Sequence, residues 1–138
     1  MNEFDIMTIS ATGMTANRLR IDVISNNIAN AETTRTERGG PYRRKFPIFS
    51  EYLRRVNGVR KPSGVRVVEI AEDPSPFKLV YDPSHPDADE NGYVKMPNVN
   101  VLREMVDLIN SQRAYEANVS AFNTVKAMIN SALQIGRG

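Results

Sequence analysis

Apolar residues recur every seven positions near both ends of this 138-residue chain. The first repeat comprises Met7, Met14, Ile21 and Ile28, and the second comprises Val101, Leu108, Tyr115, Phe122 and Ile129, with Met105, Val119 and Leu133 four residues after three of them. A seven-residue apolar repeat buries one seam of a helix against another helix. The sequence therefore predicts two long helices, over about 3–30 and 98–135, that pair with each other or with other subunits.

Short strands are predicted for the region between the two helices. Apolar and polar residues alternate over 65–70 and 77–82, and Tyr93-Val94 follows a glycine, as is typical of strands. Turns are predicted at Asn57-Gly58 and Pro62-Ser63-Gly64, and strand breaks at Pro74, Pro76, Pro83 and Pro86. Asn98, after a proline, is the predicted N-cap of the second helix.

These elements predict an α+β fold. Where the long N- and C-terminal helices pair with each other, they form an antiparallel coiled coil, and a small antiparallel β-rich domain is inserted between them. The expected division is an N-terminal helix over 1–34, a β-rich outer domain with loops over 35–97, and a C-terminal helix over 98–138. So few residues remain for an independent core that stability is expected to depend partly on partners.

Charge is unevenly distributed along the chain, although the formal net charge is only +2. Residues 35–66 carry ten basic and two acidic groups, whereas residues 67–107 carry three basic and nine acidic groups. Such segregation can steer one copy onto another or onto an oppositely charged neighbour. Basic residues interleaved with aromatic ones also suggest an alternative function, a coiled-coil dimer that binds nucleic acid through 35–66.

Several classes of function have no signature in this sequence. The chain has no cysteine, which excludes disulfides and thiolate metal sites, and it has no nucleotide-binding or hydrolase motif. The run from Asp87 to Gly92 matches the first half of an EF-hand loop, but Asn98 stands where that loop needs glutamate, and His85 is the only histidine. We therefore expect no catalysis, cofactor or metal. No membrane span or signal peptide is visible, which taken alone indicates a cytoplasmic protein.

Three asparagines crowd the end of the first predicted helix, at Asn26, Asn27 and Asn30. Asparagine competes for backbone hydrogen bonds and suits a helix exit. Two interpretations stay open from the residues alone. The trio is either a fraying helix terminus or a polar elbow that hydrogen-bonds to neighbouring subunits.

Segments along essentially the whole chain resemble bacterial flagellar axial proteins. At the ends these are residues 10–16 (SATGMTA), 20–30 (RIDVISNNIAN) and 111–118 (SQRAYEAN). In the middle, residues 40–44 (GPYRR), 80–89 (VYDPSHPDAD) and 92–99 (GYVKMPNV) are similar to those of proximal rod members of that family.

The resemblance implies a structural role in the rod of the flagellar basal body. Such proteins are exported through the flagellar type III apparatus without a cleaved signal peptide, and they assemble around the export channel through paired terminal helices. The rod spans the periplasm and transmits torque. The implied partners are copies of the chain itself, other rod proteins, the adapter protein at the rod base and the export apparatus, with no nucleic acid and no direct membrane insertion.

The resemblance also implies roles for particular residues. Those at the end of the first helix lie where it meets the outer region, and those of the C-terminal motif face neighbouring subunits. Together with the seven-residue repeats, the expected assembly interface comprises Met7, Met14, Ile21, Asn26, Asn27, Ile28, Asn30, Val101, Met105, Leu108, Arg113, Tyr115, Asn118, Val119, Phe122, Ile129 and Leu133.

Overall fold

The computed structural model describes residues 2–138, which form two helices and two small antiparallel sheets. The elements, in chain order, are α1 (Glu3–Ala29), β1 (Lys45–Val56), β2 (Val59–Glu72), β3 (Lys78–Tyr81), β4 (Tyr93–Met96) and α2 (Val101–Gly136). The helices pack on each other, and α1 also packs on β1 and β2. The predicted α+β class and its two long terminal helices are confirmed.

Asparagine side chains begin both helices. Asn2 Oδ1 accepts a hydrogen bond from Asp5 N at 2.8 Å, while the Asp5 carboxylate accepts one from Asn2 N, so α1 starts with a reciprocal capping pair. The N-cap of α2 is Asn100, whose Oδ1 accepts from Arg103 N at 3.2 Å. The predicted cap at Asn98 is therefore wrong by two residues. Asn98 instead donates to the carbonyls of residues 73 and 75, before β3.

The two helices run antiparallel. Early in α1, Gly13 lies so close to α2 that an added Cβ would be 3.0 Å from the amide of Asn118. At the end of α1, Asn27 Nδ2 donates to Glu104 Oε2 at 3.1 Å. Contacts that advance along α1 therefore move backwards along α2, which confirms the predicted antiparallel pair.

Strands β1 and β2 form a long hairpin that the sequence predicted only in part. Its turn is Asn57-Gly58, as predicted, and both residues have positive φ, which suits a tight two-residue turn. The prediction missed β1 and placed a turn at Pro62-Ser63-Gly64, which is wrong because these residues lie within β2. Pro62 faces Leu53 across the hairpin, and the register shift between Glu51 and Leu53 leaves Ser63 and Gly64 without a facing residue, as in a β-bulge.

The hairpin lies along α1 from one end of the helix to the other. Lys45, at the base of the hairpin, exchanges hydrogen bonds with Asn27. Midway, Val65 N donates to Thr12 Oγ1 at 3.1 Å. Near the tip, Arg54 pairs with Asp5 at 3.4 Å. The tip of the hairpin therefore lies beside the start of α1, and its base lies beside the end of α1.

The second sheet, β3 with β4, leads into the most buried part of the chain. Tyr81 and Tyr93 pair across the two strands with their rings at 64°. Val94, Pro97 and Val99, in and after β4, are buried, and Asn98, between the last two, accepts a hydrogen bond from Arg44 N at 2.8 Å, just before β1. The other buried apolar residues, Ala16, Val23, Ile24 and Val125, lie on the two helices.

Candidate assembly interface

Small and polar residues line the seam between the two helices. On α2 the most buried positions are Glu104, Ser111 and Val125, with the half-buried Asn118 completing a seven-residue spacing. Ser111 Oγ donates to its own helix at the carbonyl of residue 107, and Asn118 Nδ2 donates to that of residue 114. Because these polar groups are satisfied within α2, the helices can approach closely without leaving unpaired donors.

The seam follows the predicted spacing but lies on different residues. The apolar repeat of Leu108, Tyr115, Phe122 and Ile129 lies four residues after the buried line, and its members are half-buried at the edge of the seam. Of the buried line only Asn118 was predicted, through the family resemblance. The apolar repeat could not reveal the others, because three of the four buried-line positions are polar. The same spacing of seven, sought among small and polar residues, could have found the buried line.

The seventeen residues expected at the assembly interface fall into three groups. Eleven are half-buried, namely Met7, Met14, Ile21, Ile28, Asn30, Leu108, Tyr115, Asn118, Val119, Phe122 and Ile129. Five are exposed, namely Asn26, Val101, Met105, Arg113 and Leu133. The structure places Asn27 inside the chain instead, where it has no exposed surface left for a neighbour.

Asn27 holds the end of α1 to the start of β1. Its Nδ2 donates to Lys45 O at 2.7 Å and to Glu104 Oε2, and its Oδ1 accepts from Lys45 N at 3.0 Å and from Tyr42 Oη at 2.9 Å. Both donors and both acceptor positions of the amide are thus used. The asparagine end of α1 is therefore a polar elbow within the chain.

Glu104 completes this polar junction, which we define as Asn27, Tyr42, Arg44 and Glu104. Its carboxylate is only 1% exposed and accepts hydrogen bonds from Asn27 and from Arg44 Nε. Arg44 also lies 3.4 Å from Asp73. The junction therefore ties α1, α2 and the base of the hairpin together through one buried carboxylate.

Two side chains of the junction, Arg44 and Tyr42, have raised pKa values. Burial alone would lower the pKa of Arg44, but its hydrogen bond and attraction to Glu104 outweigh that effect and raise the pKa. Burial and the nearby negative charge of Glu104 raise the pKa of Tyr42, so its hydroxyl stays protonated and donates to Asn27. Removing one partner of such an ion pair strongly destabilises a protein, because the other charge is left buried without compensation.

Apolar side chains also line the opposite face of α2. Leu102, Met105, Val106 and Ile109, which we call the outer stripe, are all exposed, Leu102 by 74% and Val106 by 51%. Steps of about 100° per residue place most of the stripe roughly opposite Glu104 and Ser111, and so away from α1. An exposed apolar stripe on a helix is typical of a surface that another protein covers. Of this stripe only Met105 was predicted at the interface from the sequence, although the i, i+4, i+7 spacing of Leu102, Val106 and Ile109 could have revealed the rest.

Helix α2 also extends past the start of α1. Gly13 faces Asn118, and α1 begins ten residues before Gly13, whereas α2 continues eighteen residues beyond Asn118. The last turns of α2 therefore have no α1 beside them. Leu133, which belongs to the predicted seam, is consequently exposed, as is Ile135.

The described residues show no arrangement typical of a metal site. Within 2–138, no group of three acidic or histidine side chains could hold an ion. Asp87 of the half EF-hand motif accepts hydrogen bonds from Thr34 and Arg35, and its backbone N donates to His85 Nδ1 at 3.0 Å. Neither helix in that range has an apolar stretch long enough to span a membrane.

Comparison with known proteins relates both helices to flagellar rods. The family described as "Flagella basal body rod protein" matches residues 7–35, and "Flagellar basal body rod FlgEFG protein C-terminal" matches residues 90–135. Relatives named flagellar basal-body rod protein FlgC are 49% identical in Borreliella burgdorferi, over all of both chains, and 46% identical in Bacillus subtilis, over 99% of this chain and 100% of the relative. In Escherichia coli O157:H7 the identity is 41%, over 96% of this chain and 97% of the relative. Full-length similarity at this level, together with the antiparallel pair of terminal helices, places the chain in the family of flagellar basal-body rod proteins FlgC.

Proposed function

We propose that this chain is a structural subunit of the flagellar basal-body rod and that it is incorporated through the outer stripe of α2. Membership of the FlgC family supports the structural role and the location in the rod. The exposed outer stripe supports the mode of assembly, since α1 already covers the other face of the same helix.

Burial of the outer stripe in an assembly supplies a driving force of useful size. Complete burial of one large apolar side chain contributes about 1.5–3 kcal/mol, so covering the exposed half of each contributes roughly 1 kcal/mol. Several such side chains on each subunit, repeated over many neighbours, can offset the cost of ordering. A rod that transmits torque needs this kind of repeated lateral contact rather than a binding pocket.

The proposal assigns different tasks to the parts of the chain. The terminal helices, 1–34 and 98–138, form the inner contact layer around the export channel, and the region 35–97 forms an outer domain. The half-buried seam residues and the exposed Asn26, Val101, Met105, Arg113 and Leu133 are available to neighbours. We further propose as partners copies of this chain, the adapter protein at the rod base and the type III export apparatus, with no enzymatic activity.

The nucleic-acid alternative has no support. The full-length relatives are rod proteins by name. Four of the ten cations in the basic segment 35–66 also pair with carboxylates of the chain itself. Arg35 pairs with Asp87, Arg38 with Glu72, Arg44 with Glu104 and Asp73, and Arg54 with Asp5. Those four cations are therefore less available to a phosphate.

Val106→Asp tests the assembly surface. The side chain is half-exposed and makes no seam contact, and valine and aspartate have similar helix propensity, so the isolated chain should keep its stability within about 0.5 kcal/mol. In a strain without the wild-type chain, the amount of variant in purified basal bodies should fall at least tenfold, because a carboxylate would be buried in the contact.

A matched control is Val68→Asp on β2, where the valine is 59% exposed. It makes the same chemical change at similar exposure but away from α2, and it should leave incorporation close to wild type. Normal incorporation of Val106→Asp, at wild-type abundance and stability, would show that the outer stripe is not the assembly surface.

A further inference from the structure

Four cations and no acid occupy the end of the β1–β2 hairpin. Arg54 faces Lys61 and Arg55 faces Arg60 across the two strands, and all four are exposed. We call these four residues the basic tip. Like charges placed directly opposite each other destabilise a hairpin. The tip therefore carries a local cost that an acidic partner would relieve.

The chain itself supplies little compensation for the basic tip. Arg54 pairs with Asp5 at 3.4 Å. Within residues 2–138, Arg55, Arg60 and Lys61 have no carboxylate within 4 Å. Three of the four cations are thus available for an acidic partner outside the chain.

The opposite charge pattern is found in the segment between β3 and β4. Residues 82–92 contain four acidic and no basic residues, namely Asp82, Asp87, Asp89 and Glu90. We call this segment the acidic loop. Asp87 is held by Thr34 and Arg35, and the Asp89 carboxylate accepts hydrogen bonds from the backbone N of residues 91 and 93, so the loop is built as a fixed turn. Asp89 and Glu90 are exposed at its surface.

The basic tip and the acidic loop lie at opposite ends of α1. Arg54 contacts Asp5 in the first turn of the helix, whereas Asp87 contacts Thr34 and Arg35 just beyond its last turn. The 27 residues of α1 span roughly 40 Å. That distance is several times the screening length of about 8 Å at physiological salt. The two charged ends cannot neutralise each other within one chain.

We propose that the basic tip of one copy binds the acidic loop of a second copy. The three cations without a carboxylate partner in residues 2–138 lie at one end, and the exposed carboxylates of Asp89 and Glu90 lie at the other. The two surfaces are different, so the contact is head-to-tail. A head-to-tail contact leaves one free surface at each end and repeats along a row of subunits, in contrast to a closed two-fold dimer. The inference rests on the proposed rod function and adds to it a specific contact between copies, separate from the outer stripe.

Arg55→Glu distinguishes a docking role from a structural one. The new carboxylate would face Arg60 across the hairpin and replace a repulsive pair with an attractive one, so the thermal midpoint of the isolated chain should stay the same or rise. If the tip docks on an acidic surface, incorporation of the variant into basal bodies should nevertheless fall at least fivefold. If the basic tip contributed only to folding, a variant with an unchanged or higher thermal midpoint would incorporate normally.

Charge reversal on the partner surface identifies that surface. Adding Glu90→Lys to Arg55→Glu in the same chain should restore at least half of the lost incorporation, since every contact then regains an opposite pair. Lys78→Glu on β3 makes the same change in net charge at an exposed site outside the tip and should incorporate normally. Wild-type incorporation of Arg55→Glu, or no rescue by Glu90→Lys, would overturn the proposal. Absence of the unmodified chain from the rod would instead overturn the proposed function.

The lack of cysteine permits a direct second measurement. Arg55→Cys and Glu90→Cys placed in one chain should give, on mild oxidation of isolated basal bodies, a ladder of bands in multiples of about 15.5 kDa. Either single-cysteine variant should stay a monomer. An incorporated double variant that gives no ladder would contradict the contact.

Discussion

Replacement of Glu104 with glutamine is expected to destabilise the chain by about 2 kcal/mol. Glutamine keeps nearly the same shape but loses the charge, and its single amide oxygen can accept from Arg44 or from Asn27 while its NH2 group can accept from neither. Asp73, at 3.4 Å, would then be the one carboxylate paired with Arg44. A hydrogen bond to a charged group contributes about 1.5–3 kcal/mol. Removing one partner of a buried ion pair destabilises a protein more than removing one partner of an exposed pair. The free energy of unfolding from urea denaturation measures the loss.

The same substitution should also loosen the β-region from the helix pair. Asn27 would face an amide where it now donates to a carboxylate, and the base of the hairpin would lose the charged contact between Arg44 and residue 104. Glu116→Gln is the matched control, because Glu116 is exposed on the same helix and should change stability by less than about 0.5 kcal/mol. Equal stability of the two variants would show that the polar junction does not hold the elements together.

The second large effect is expected for Gly64→Ala, with a loss of about 2–5 kcal/mol. Gly64 has φ +123°, a conformation that side chains rarely adopt, and an added Cβ would lie 2.1 Å from Thr12 Oγ1. Backbone strain of this kind costs about 1–3 kcal/mol, and forced overpacking costs a similar amount. The clash falls where Val65 N donates to Thr12, so the hairpin should lift from α1. Thermal unfolding and hydrogen exchange of β2 measure both consequences.

Gly39→Ala separates the strain from the clash. Gly39 also has positive φ, at +79°, but an added Cβ would meet nothing within 4 Å. It should therefore cost only about 1 kcal/mol. Thr12→Ala in the Gly64→Ala background removes the closest atom and should recover part of the loss. If Gly64→Ala lowered the free energy of unfolding no more than Gly39→Ala does, close packing of the hairpin on α1 would be excluded.

The helices could be predicted from sequence because their signal is local. The repeat of apolar residues from Met7 to Ile28 and from Val101 to Ile129 predicted the number and approximate ends of the two helices, and the resemblance to flagellar axial proteins favoured their pairing within one chain. The hairpin was harder to predict from the sequence. Pro47 and Pro62 interrupt its strands, and the register shifts destroy the simple alternation that marks a strand.

The site residues depended on contacts that sequence periodicity does not reveal. Asn27 and Glu104 are separated by 77 positions, and each residue taken alone is typical of an exposed surface. Only the fold brings them together with Tyr42 and Arg44 to form the polar junction. The resemblance to flagellar axial proteins, in contrast, rested on contiguous motifs and predicted the family that the full-length relatives confirm.

The most direct test of the account is an image of the assembled basal body at side-chain resolution. In the rod, Leu102, Val106 and Ile109 should be covered by helices of neighbouring subunits, while Asn27 and Glu104 remain inside each chain with the hydrogen bond between them intact. An outer stripe that faces water in the assembled rod would contradict the proposal that α2 holds this subunit in place.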